Sequence, residues 1–144
     1  MIIMKFGGTS VGSAERIMNA ANIVKSSIKR KPVVIVSAVT KITDALIRLA
    51  KETADGKGNE TLEHIKKVHY GILEQLEIDE KLLNEDMKEL ESMINKTKSG
   101  KSIDDEYLDC FQSFGERMSS KIFAEQLNKI GINSKSFDSW KLGF

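Results

Sequence analysis

Apolar residues crowd together at the start of the chain and then space out. Ile2 to Phe6 is an apolar run broken only by Lys5, and it reads as a short buried strand. Ile17, Ala21, Val24 and Ile28 then recur at helical spacing. They form one stripe on a helix that Ser13 can N-cap and that Glu15 favours in its first turn. Lys29, Arg30 and Lys31 suit the C-terminal end of that helix, and Pro32 stops it. Val33-Val34-Ile35-Val36 is a continuous β-branched run, expected as a strand buried on both faces of a parallel sheet. Strand, helix and strand in this order make a βαβ unit with a right-handed crossover.

The remaining pattern is helical. A helix is expected from Thr43 through Leu46, Leu49 and Ala50, and "ADGKGN" breaks it. Leu62, Ile65, His69, Ile72 and Leu76 make one stripe, and Leu83, Met87, Leu90 and Ile94 make another. "EIDEK" joins them, which predicts an antiparallel helical hairpin. "NKTKSGKS" reads as a loop, with Ser102 capping the next helix and Asp104 and Asp105 in its first turn. That helix runs to Ile130 despite Gly115, which costs about 1 kcal/mol against alanine. Gly131 ends it, and "INSKSFDS" is expected as one more strand. Two clear strands and a third are few for a sheet with this many helices. The apolar stripes are therefore expected to face polypeptide outside this sequence.

Composition changes this picture little. The 144 residues are 40% hydrophobic and 30% charged, with a net charge of +1. That is ordinary globular composition and implies neither nucleic acid nor a membrane surface as partner. The one cysteine, Cys110, rules out an intramolecular disulfide and fits a cytoplasmic location. Charge is uneven, however. Residues 1–50 hold eight basic residues against two acidic ones. An anionic ligand is expected there, unless those cations are only solvated helix-surface lysines.

The candidate anion site is the loop after the first strand, Lys5-Phe6-Gly7-Gly8-Thr9-Ser10. A loop between a strand and a helix presents backbone N–H groups, and glycines let a phosphate approach the backbone. Lys5 adds a full charge. The lysine precedes the glycines, so this is neither a Walker A loop nor a dinucleotide-binding glycine pattern. The alternative is a plain strand–helix turn with an incidental lysine. Ligands of open α/β sheets lie beyond the carboxyl ends of the strands. "SAVTKIT", after the second strand, is the other loop in that position.

These residues resemble a known family. "KFGGTSV" is similar to the opening of aspartokinases, in the amino-acid kinase superfamily. "VVIVSAVTKITDAL" resembles their second strand and substrate loop, and "FGERMSSKIFAEQLNKIGINSKSFDS" their Gly-Glu-Arg helix and the strand after it. The resemblance covers essentially the whole chain. It implies a three-layer α/β/α amino-acid kinase fold with a mainly parallel sheet, here incomplete. The chain would be the N-terminal, substrate-side portion, with a helical insertion at about 59–98 and without the nucleotide half and regulatory domains. The implied reaction is ATP-dependent phosphorylation of the β-carboxylate of L-aspartate, the first step toward lysine, threonine and methionine. Mg2+ is expected with ATP, with no protein ligand assignable in this sequence.

By matched position, Lys5 would stabilise the phosphoryl group in transfer. Lys5, Phe6, Gly7, Gly8, Thr9 and Ser10 would hold phosphates. Ser37 and Thr43 would contact aspartate, and Glu116 would bind its α-ammonium group. Read without the resemblance, Glu116 is a surface carboxylate paired with Lys121 or Arg117, and Thr43 is a capping or first-turn hydroxyl. A homo-oligomer, or dependence on further domains, is expected. Two other readings stay open: a different carboxylate or carbamate kinase of the superfamily, and a non-catalytic assembly module. His64 and His69 stand five apart, off one helical face, and make no metal pair. Cys110 is expected as a buried thiol, Trp140 as a packing residue, and Asp104-Asp105-Glu106 as a helix start.

Overall fold

A computed structural model of the chain describes residues 1–143. Two parallel strands, β1 (Ile2–Phe6) and β2 (Pro32–Val36), pair in register from Ile2 opposite Pro32 to Phe6 opposite Val36. Helix α1 (Ala14–Ser26) makes the crossover between them. Ser13 caps α1, its hydroxyl accepting from the Arg16 N–H at 3.2 Å. Ile17, Ala21 and Val24 are buried as the stripe requires. Ile28 lies outside the helix and is 46% exposed. The chain leaves α1 through a 3₁₀ turn and a left-handed Lys31 before Pro32, so the helical period ends before Ile28 is reached.

Helices α2 (Ile42–Ala54), α3 (Asn59–Gln75), α4 (Asn84–Lys96) and α5 (Asp105–Lys129) follow. The predicted stripes are buried, with Ile65, His69, Ile72 and Leu76 around α3 and Leu83, Met87 and Leu90 at α4. Ion pairing of Lys66 with Glu91 joins α3 to α4 in the register of an antiparallel hairpin. The long helix α5 is the spine. The Tyr107 hydroxyl donates to the Ala50 carbonyl at 2.8 Å, tying its start to α2. Lys129, at its other end, donates to the carbonyls of Leu76 and Glu77 and so closes the C-terminus of α3. Phe123 stacks on Phe6, with ring centroids 5.5 Å apart, and seats α5 on the sheet.

Four expectations are corrected. The sheet is not buried on both faces. Met4, Val34 and Val36 pack on the core, while Ile3, Val33 and Ile35 are exposed. Strand side chains alternate, and the described residues cover only one side. Of the three layers implied by the resemblance, the described residues therefore hold the sheet and one helical layer. "INSKSFDS" (residues 132–139) forms no strand: among the described residues the sheet holds only β1 and β2, and neither of their outer edges is paired with this segment. Asp104, not Ser102, caps α5, its carboxylate accepting from the Tyr107 N–H at 2.8 Å. Cys110 is exposed, at the edge of α5 that borders a groove with Tyr107 and Ser113, and is not in the core beside Phe111. Trp140 packs over the Arg117 guanidinium at 5.9 Å but stays half exposed.

His69 is fully buried, and its Nδ1–H donates to the Ile65 carbonyl at 2.7 Å. Burial pushes its pKa below the ordinary 6.5, with the Ile65 bond and the Asp86 charge opposing more weakly. Below about pH 6.5 the unfolded chain therefore binds a proton that the folded chain refuses, and stability falls with pH. The urea midpoint is expected to drop between about pH 7 and 5.5, above the range where ordinary carboxylates protonate. His69→Gln should flatten that slope; an unchanged slope would assign it elsewhere.

Candidate active site

Both strands end on the same side, and the two loops that leave them interlock. The Ser37 N–H donates to the Phe6 carbonyl at 3.0 Å, continuing the ladder one step past β2. The Thr40 hydroxyl then donates to the Gly8 carbonyl at 2.8 Å. Gly8 sits so close to the second loop that a Cβ there would lie 2.9 Å from the Ala38 carbonyl oxygen. No side chain fits that approach, so packing requires this glycine. Gly7 is different. Its φ of −74° suits any residue, and a Cβ would meet no protein atom within 4 Å. The fold does not demand a glycine at Gly7, which leaves its backbone open to something approaching from solvent.

The third segment comes from α5. A Cβ at Gly115 would lie 2.8 Å from Ala38 Cβ and 3.2 Å from Leu46 Cδ1. The helix can lie this close to the loop only because Gly115 has no side chain. Ala38 thus touches Gly8 through its carbonyl and Gly115 through its methyl. The next residue on α5, Glu116, is exposed. The cations expected as its partners are engaged elsewhere: Arg117 with Asp86 and Glu89, and Lys121 with Asp86. Among the described residues Glu116 has no ion pair.

The segments carrying Phe6–Gly8, Ser37 and Glu116 therefore meet at the carboxyl ends of the strands. Ser37 is half-buried there. Thr43 is exposed in the first turn of α2 and does not cap it. Thr9 and Ser10 are exposed in a 3₁₀ turn, Gly8–Val11. Lys5 is exposed and leaves β1 on the open face of the sheet, with Ile3. Phe6 is a core residue stacked on Phe123, so its ring is not available to a phosphate. The basic residues of the first third divide between the two ends. Lys5 and Lys41 lie toward this end, whereas Lys29, Arg30 and Lys31 precede β2 at the opposite end of the sheet.

Three residues at this site were not singled out from sequence. Thr40 fastens the two loops. Lys41 holds a left-handed conformation, φ 65°, at the start of α2, whose N-terminus no side chain caps. Arg16 Nη1 donates to the Thr9 carbonyl at 3.0 Å and braces the glycine loop from α1. Their only sequence signal is position, in or next to the two loops. A groove of about 880 Å³ lies elsewhere, between α4 and the first half of α5, and none of the predicted site residues lines it. No group of three or more His, Cys, Asp or Glu among the described residues could hold a metal ion. Nor is any of their helices long and apolar enough to cross a membrane.

Strand, glycine loop, helix and strand, with a second loop fastened to the first, make one βαβ unit that carries the candidate site. The sequence model of the amino acid kinase family matches residues 1–144, and the chain belongs to that family. Within it, the chain is 35% identical over 146 residues to Aspartokinase 3, chloroplastic, of Arabidopsis thaliana, covering 98% of this chain and 26% of that protein. It is 30% identical over 143 residues to the lysine-sensitive aspartokinase 3 of Escherichia coli, covering 99% and 32%. A crystal structure of E. coli aspartokinase III in complex with aspartate and ADP superposes with a TM-score of 0.77 at 27% identity, over 90% of this chain and 29% of that one. The chain thus spans about a quarter of the length of the first curated relatives it matches.

Gly115→Ala tests the closest approach in the site. Overpacking costs about 1–3 kcal/mol, and alanine returns about 1 kcal/mol of helix propensity. A net loss on the order of 1 kcal/mol is expected in urea denaturation. A gain in stability would mean that α5 can back away from Ala38 freely.

Proposed function

We propose that this chain is the substrate-side part of a kinase that transfers the γ-phosphoryl group of ATP to the β-carboxylate of L-aspartate. The observation that carries the reading is the meeting of three segments at Ala38, which leaves Glu116 exposed and unpaired beside the two loops. The names of the relatives and the aspartate and ADP bound to the E. coli neighbour support the same substrate class.

In this reading a β-carboxylate oxygen of aspartate attacks the γ-phosphorus, and the bond to the ADP oxygen breaks. The nucleophile is already ionised at neutral pH, so no strong base is needed. What the protein supplies is position and positive charge. Glu116 pairs with the α-ammonium group. Ser37 and Thr43 donate hydroxyl hydrogen bonds to aspartate. Lys5 bears on the phosphoryl group in transfer, and Gly7, Gly8, Thr9 and Ser10 face the phosphates. The N–H groups of Gly8 and Thr9, which open the 3₁₀ turn, lack partners within it and suit that task. The Ser10 N–H already donates to the Gly7 carbonyl at 3.0 Å, so Ser10 acts through its hydroxyl. Mg2+ accompanies ATP in this reading, but the described residues provide no ligand cluster for it, and no step is routed through it. The open sheet face, with Ile3, Val33 and Ile35, fits further polypeptide of the same domain, whose helical insertion is α3 and α4. A cytoplasmic location and a homo-oligomer belong to the same proposal, although the plant relatives are named as chloroplastic.

Calorimetric titration with L-aspartate, with L-glutamate as control, tests the proposal. Selective binding of L-aspartate is expected, and its absence would overturn the reading. Glu116→Gln should weaken that binding about tenfold to a hundredfold, as loss of a charged hydrogen bond does. Unchanged affinity would remove Glu116 from the site. In a phosphoryl-transfer assay Lys5→Met should lower turnover by about a hundredfold or more while aspartate affinity holds. The reverse pattern would place Lys5 in ground-state binding only.

A further inference from the structure

Asp86 lies on α4, outside the segments that build the site, and is fully buried. A carboxylate this dry must be paired, and both of its partners come from α5. Lys121 Nζ donates to Oδ2 at 2.7 Å. Arg117 Nη2 lies 3.1 Å from Oδ1 as an ion pair and donates its hydrogen bond to Glu89 Oε2 at 2.7 Å. The Arg117 guanidinium also lies over the Phe114 ring, 4.6 Å from its centroid. Arg117 and Lys121 are one helical turn apart, so the pair fixes both the rotation and the height of α5. Gly115, two residues earlier, is seated on Ala38 and Leu46. The helix is therefore gripped on two sides of a single turn, and Glu116 stands between the grips.

The consequence is electrostatic. Arg117 and Lys121 are the cations closest in sequence to Glu116 on α5. They stand one and five positions from it, off the i+3 and i+4 spacing of a helical ion pair, but their long side chains, once released, would bring positive charge beside it. Both are drawn to α4 instead. We infer that Asp86 is a positioning residue: it sequesters Arg117 and Lys121 so that the Glu116 carboxylate is left free for the ammonium group of the substrate. This rests on the reading of Glu116 as the ammonium-binding group.

Asp86→Asn keeps the shape and removes the charge. Lys121 then loses its counter-ion and becomes a competitor for Glu116. The test compares wild type, Asp86→Asn, Lys121→Met and the double variant, each titrated with L-aspartate and with succinate, which lacks the ammonium group. Asp86→Asn is expected to weaken L-aspartate by at least about tenfold and succinate by less than about twofold. Adding Lys121→Met should recover most of the loss. Equal weakening of both ligands would mean a merely structural role, and no weakening of either would also overturn the inference. Hydrogen exchange supplies a readout without ligand. Amides 113–121 of Asp86→Asn should exchange about tenfold faster while those of β1 and β2 keep their protection. Unchanged exchange at 113–121 would show that Asp86 does not hold α5, whether or not the chain binds aspartate. If wild type binds neither ligand and exchange still rises, the grip stands and the reading of Glu116 fails.

Discussion

The close approach of α5 to the segment after β2 is the constraint on which the rest depends. It exists because Gly115 has no Cβ and because Ala38, opposite it, has only a methyl group. With any larger pair the helix would stand off by the width of a side chain, and packing at interior density would be lost along its length. Ala38 is also pressed from the other side, where its carbonyl lies under Gly8. Three parts of the chain distant in sequence are thus held through one small residue. The hydrogen bond from Thr40 to Gly8 and that from Ser37 to Phe6 then fix the loops against each other.

Two kinds of force divide the work along α5. Toward the sheet the contacts are apolar, with Phe6 on Phe123 and buried Met118 and Ile122 beside them. Toward α4 they are ionic, concentrated on buried Asp86. Apolar packing is tolerant of small rotations, whereas a desolvated ion pair is not. The direction of Glu116 is set by both. The α3–α4 hairpin therefore does more than fill volume, because its one buried carboxylate acts on the helix that carries the site. His69, a buried titratable group on α3, feels the same Asp86 charge.

Much of this was legible in the sequence because it is local. The βαβ unit, the Ser13 cap, the stripes of α3 and α4 and the end of α5 at Gly131 all follow from periodicity and capping within a few residues. The misses have a common cause. The burial of Val33 and Ile35, the strand expected at residues 132–139 and the burial of Cys110 each needed a partner element. Pattern alone cannot say whether that partner is present. Ser102 and Asp104 are both good caps, and the helix starts at the one from which Tyr107 can reach Ala50. The glycine loop was legible as a loop with room for an anion. Which glycine serves packing and which lies open was not, since Gly7 and Gly8 differ only in what stands opposite them.

By itself, the amino-acid sequence determined the order of the elements, the family, and the residue types available for chemistry: a lysine at a strand end, two hydroxyls and a carboxylate on a long helix. These depend on spacing and residue type, which are written along the chain. Tertiary structure alone decided that Ala38 joins the glycine loop to α5, that Thr40 fastens the loops, and that Asp86 takes both cations nearest Glu116. These are contacts between residues tens of positions apart. Their existence turns on a few tenths of an ångström of steric fit and on how completely water is excluded from a charge, and neither is encoded in any short stretch of sequence.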